Sequence, residues 1–144
     1  MSTLVLIVLA IIGGLASAFQ GHFMGIMDQK IGSKESVFIT YAGGGLLITL
    51  TMIATRGGHL SVWQNAPWYA FTAGVLGLVI VGAIGYTVPR LGMAKAFTLI
   101  VASQLLAAVI FDQFGLLGAA VRTLSLSRLI GLVLTILGVW LVLG

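Results

Sequence analysis

The chain has 144 residues, of which 60% are hydrophobic and 7% charged, with a mean hydropathy of +1.20. That leaves too few polar side chains to cover a water-soluble globule, so the composition predicts an integral membrane protein. Cysteine is absent, which excludes disulfides and thiolate metal sites, and the seven Lys and Arg residues behind the net charge of +4 are scattered, which excludes a basic nucleic-acid surface.

The first apolar run ends in Ala16-Ser17-Ala18, which has the small-residue look of a signal-peptide cleavage site, but no Lys or Arg precedes it. We therefore expect it to stay as helix one, about residues 3–27. Gln20 lies deep in this helix, where an amide must bond a neighbouring helix or line a substrate cavity. His22 reads as an interfacial residue, because no second His, Asp or Glu stands at metal-ligand spacing, and neither a metal nor a cofactor is expected. The stretch DQKIGSKE, Asp28 to Glu35, holds four charges and is predicted to be an aqueous turn.

Helix two is expected over about 36–55, with Tyr41 and the triple Gly43-Gly44-Gly45 on its first half. With no strand before the glycines and no Lys after them, they suit close helix packing and not a phosphate loop. A second turn, Arg56 to Pro67, leads into helix three at about 68–88. Trp63, Trp68 and Tyr69 fit an aromatic belt, and Gly74, Gly77, Val81 and Gly85 fall on one helical face suited to packing.

Helix four, about 91–112, is the chain's most unusual stretch. It carries Lys95, Ser103, Gln104 and Asp112 in a run otherwise almost wholly apolar, and buried polar groups in hydrocarbon are costly without a partner. Residues 113–126 are too short to span and are expected at the interface or dipping back into the membrane. Helix five, about 127–143, closes the chain with Gly131 and Gly138 as a further packing seam. The whole reads as a single transmembrane domain, residues 1–144, all-α with five spans.

Five spans put the two termini on opposite sides. Arg56, Arg122 and Arg128 then share one side, while Lys30, Lys34, Arg90 and Lys95 share the other. Orientation is normally set by a cytoplasmic excess of Lys and Arg, and three against four is no excess, so insertion in both directions is permitted. Lys95 and Asp112 are 17 residues apart, about 25 Å along a helix, too far to meet within one copy. Inversion would bring Lys95 of one protomer to the level of Asp112 of another. Snorkelling of Lys95, with Asp112 bonded to backbone or to Arg128, is the alternative.

Pro67-Trp68-Tyr69 with the Gly-rich third helix, then VPRLGMAKAFTLIVASQLLAAVIFDQFGLLG, then SLSRLIGLVLTILGVWLV, together resemble the YdcZ-like membrane proteins of the drug/metabolite transporter superfamily. The resemblance rests on Pro89, Leu91-Gly92, Gln104, Asp112, Phe114-Gly115, Gly118, Arg128 and Gly131. Helix one departs from the pattern at Met24, where the family has Asn, and at Lys34, where it has Pro. The resemblance implies an inner (plasma) membrane protein of several passes. It further implies a five-helix protomer forming half of a ten-helix transporter, as an antiparallel homodimer or with an oppositely oriented sister subunit. It also implies kinship with the small multidrug resistance proteins, whose first helix carries a proton-exchanging carboxylate; no Asp or Glu occurs between Met1 and Met27 here, which argues against that route.

The function expected is transport of a small solute, not enzymatic catalysis, because no catalytic triad, metal pair or paired carboxylates lies at depth. The candidate substrate-binding residues are Gln20, Ser103, Gln104, Tyr41 and Trp68. Lys95, Asp112 and Arg128 are candidate structural or inter-protomer polar groups. The alternative is a structural or regulatory subunit whose glycine faces pack against a larger membrane complex.

Overall fold

The computed structural model describes residues 2–144, and among them every regular element is helical and no strand forms. Five α-helices are each long and apolar enough to cross a membrane: α1 Thr3–Ile31, α2 Ser33–Ala54, α3 Ala73–Leu91, α4 Met93–Phe114 and α5 Leu126–Leu143. A 3-10 stretch, Trp68–Thr72, runs directly into α3 and lengthens its span. Most large apolar side chains are exposed, as hydrocarbon-facing residues must be.

The helix ends differ from those expected, for a consistent reason. DQKIGSKE was expected to be a turn because of its charges, yet α1 runs through Asp28 to Ile31 and α2 begins at Ser33. Only Gly32 separates them, with φ 106° and ψ 159°. The same device recurs sixty residues on: α3 passes through Pro89 and Arg90, and Gly92, with φ 84° and ψ 152°, is the only residue between Leu91 and Met93. Residues other than glycine rarely adopt such φ values, so the breaks fall on the glycines and not on the charges or the proline. Pro89 is tolerated because it lies two residues from the helix end, where the backbone bond it removes would be among the last.

The chain divides after Arg90 into two compact units. The core of the first is small. It comprises Gly21, Met24, Gly25 and Asp28 of α1, Ser36 of α2, and Ile84, Gly85 and Val88 of α3. Helices α1 and α3 exchange glycines for bulk: Gly25 faces Val88 and Pro89, while Gly85 faces Met24. Ser36 is wholly buried and its hydroxyl donates to the Met24 carbonyl at 3.1 Å, which ties α2 to α1 at the same level. A β-carbon placed on Gly85 would stand 3.1 Å from Met24 Cε. Gly85→Leu is therefore expected to destabilise the unit by about 1–3 kcal/mol through overpacking. Gly85→Ala should cost less, since the methyl end of methionine can move. Unfolding by titration with sodium dodecyl sulfate would measure both, and equal stability of Gly85→Leu and wild type would remove this crossing from the account.

In the second unit α4 and α5 pack together, with Ala96 and Ala102 buried. Helix α4 ends on Gly115 in the left-handed conformation, a single 3-10 turn follows at Leu116–Gly118, and residues 119–125 are irregular. This segment is fastened to the end of α4: Arg122 N–H donates to the Asp112 carbonyl at 2.7 Å, and Leu124 N–H donates to Gln113 Oε1 at 2.9 Å. Ser125 then caps α5 by accepting from Arg128 N–H. Residues 113–126 thus hold no helix of their own beyond the ends of α4 and α5 and the one 3-10 turn.

Candidate functional site

Two polar constellations stand out, one in each unit. In the first, Asp28 is buried, its side chain only 4% exposed, and it accepts from Arg90 Nη1 at 2.9 Å and from the Ser33 hydroxyl. Arg90 also donates to the Tyr86 carbonyl at 2.6 Å, and its guanidinium lies 3.6 Å above the Tyr86 ring. Glycine at position 32 lets α2 turn back at once, which brings Ser33 to Asp28. Asp28 and Arg90 are 62 positions apart, and nothing in the sequence pattern pairs them, since Asp28 reads as part of a turn and Arg90 falls between helices three and four. The premise that helix one carries no carboxylate also changes: the helix extends past Met27 and includes Asp28, held in an ion pair.

In the second unit the end of α4 and the start of α5 enclose a cavity of about 360 Å³. Asp112, Arg122 and Arg128 line it together with Leu105, Leu132 and Thr135. Asp112 and Arg128 were singled out from sequence; Arg122 joins them because its backbone bond to Asp112 folds the segment back. Lys95, at the other end of α4, donates to the Leu143 carbonyl at 3.1 Å, so within the unit it has an acceptor of its own.

The candidate substrate contacts are dispersed. Gln20 on α1 and Gln104 on α4 are exposed, and among the described residues neither amide has a hydrogen-bond partner. The Ser103 hydroxyl donates to Ile100 O of its own helix at 2.8 Å. Tyr41 is half-buried with its hydroxyl against Gly77, and Trp68 is 79% exposed at the start of its helical span. Of the glycines chosen for packing, Gly85 and Gly77 meet side chains, whereas Gly74, Gly131 and Gly138 have open space where a β-carbon would be. The triple glycine of α2 likewise meets nothing.

A family model described as "Putative inner membrane exporter, YdcZ" matches residues 5–141, which is nearly the whole chain. The chain belongs to the YdcZ family. No curated protein and no solved structure matches it. Membership, together with the five helices able to span a membrane, identifies a multi-pass protein of the inner membrane. It also points to transport and not to catalysis as the activity, in keeping with the YdcZ family's description as exporters.

Proposed function

We propose that the chain is one half of an exporter, moving a small solute through a cavity completed by an inverted second copy or by an oppositely oriented sister subunit. The observation that carries this reading is the pair of unpartnered amides. Gln104 stands about 17 Å from the start of α4, near the middle of a span, and Gln20 stands about 25 Å along α1. At such depth lipid offers an amide no hydrogen bond, so the partner must be another protein surface, water in a cavity, or a solute. Inverted pairs hold their substrate near the midplane, and an amide halfway along a spanning helix, as Gln104 is on α4, supports that reading. The balanced Lys and Arg tally supports insertion in both directions. Neutral amides favour a neutral or zwitterionic solute over a bare ion.

The test is flux by this chain alone. Reconstituted into liposomes and offered radiolabelled neutral, zwitterionic, anionic and cationic solutes, it is expected to move at least one class faster than empty vesicles. No flux for any class, together with a stable complex with an unrelated membrane protein, would replace the exporter reading with that of a packing subunit.

A further inference from the structure

The cavity of the second unit has a direction. Its α4 wall runs from Asp112 back to Leu105, and its α5 wall runs from Arg128 forward to Thr135, seven residues in each case. On an α-helix that is a depth of about 10 Å. The mouth carries three charged groups, Asp112, Arg122 and Arg128, and the floor is aliphatic apart from Thr135, whose hydroxyl is already spent on the Gly131 carbonyl at 2.8 Å. With one carboxylate against two guanidiniums the mouth bears a formal charge of +1. Among the described residues, none of the three side chains forms an ion pair or a hydrogen bond.

Two exposed guanidiniums at the polar end of an apolar slot favour a ligand whose anionic group both can reach. Helix α5 begins at Leu126, so the partial positive charge of its first turn adds to the same end. Between mouth and floor, Gly131 lines the slot and leaves open space where a side chain would project. The volume falls at the lower end of ordinary ligand pockets.

We infer that this slot binds an anionic amphiphile, its phosphate or carboxylate held by Arg122 and Arg128 and its aliphatic part laid between α4 and α5 past Gly131. The inference concerns binding within one unit and does not depend on pairing of protomers or on flux. Asp112 acts against the ligand's charge. Its role is selectivity: it disfavours binding of more than one anionic group and keeps Arg122 and Arg128 from drawing in small dianions without an apolar tail.

The experiment uses the full chain in phosphatidylcholine nanodiscs and radiolabelled octyl phosphate, with binding to empty discs subtracted. Saturable binding at one site per chain is expected. Arg122→Gln and Arg128→Gln should each weaken it about tenfold, the value of losing one charge-assisted hydrogen bond. Gly131→Leu, which fills the slot and leaves every charge in place, should abolish it, and Asp112→Asn should strengthen it. Octyltrimethylammonium should not compete, and inorganic phosphate should compete only weakly. Competition by the cation, or octyl phosphate binding indifferent to Gly131→Leu, overturns the inference even where an arginine variant fails to assemble. Discs doped with phosphatidylglycerol identify the source of the ligand: displacement of octyl phosphate assigns the slot to a bilayer lipid, and persistence of binding assigns it to a free solute.

Discussion

Arg90→Ala is expected to lower the yield of folded, detergent-extracted protein by roughly tenfold or more, because it strands a buried carboxylate. Asp28 is the most enclosed charged group described, and among the described residues Arg90 is its only cationic partner. The arginine side of the pair is 46% exposed, so the pair itself contributes less than one enclosed on both sides. The loss falls on Asp28, left with the Ser33 hydroxyl alone. Arg90→Lys keeps the charge but gives up the flat guanidinium that lies on Tyr86, and should fall between. The double variant Asp28→Asn with Arg90→Gln should recover most of the yield, since removing both charges is far cheaper than removing one. Fluorescence-detected size-exclusion chromatography reads all four proteins. A double variant as poor as Arg90→Ala would mean that the stranded charge of Asp28 is not what lowers the yield.

Gln104→Leu is expected to abolish transport of whichever solute the flux screen identifies, while leaving pairing of protomers intact. Leucine has a similar volume, so the change removes hydrogen bonds and little packing. If Gln104 instead bonded a neighbouring helix, its contribution would be only about 0.6–2 kcal/mol, and its loss would weaken assembly and activity in parallel. Crosslinking of the reconstituted protein beside the flux assay separates the two. Full flux in Gln104→Leu would remove this amide from the transport path and with it the chief physical support for a midplane cavity.

The five spans were legible in the sequence because hydropathy over about twenty residues reports membrane helices directly. Their ends were not, and Asp28 shows why. Four charges in eight residues look like an aqueous turn until one knows that Arg90, far along the chain, stands beside the first of them. Pro89 lies close to the end of α3 without ending it, while Gly92, three residues later, holds the actual break. The recurrence of glycine just after Ile31 and just after Leu91 was a usable signal. Asp112 and Arg128 were legible as polar residues at helix ends, but Arg122 joined them only through a backbone bond, and backbone bonds in irregular segments leave no periodicity to read.

The single-residue connection at Gly32 bears on how the protein is made. A hydrophilic loop must be dragged through the bilayer whole, and its length and cationic charge decide how hard that is. Between α1 and α2 there is no loop, only a glycine flanked by Lys30 and Lys34 and balanced by Asp28 and Glu35. The two helices can enter the lipid together as one preformed wedge whose tip carries two positive and two negative charges. Because those charges sum to zero, one Lys or Arg added beside Gly32 would give the tip a net positive charge and with it a preference for the cytoplasmic side.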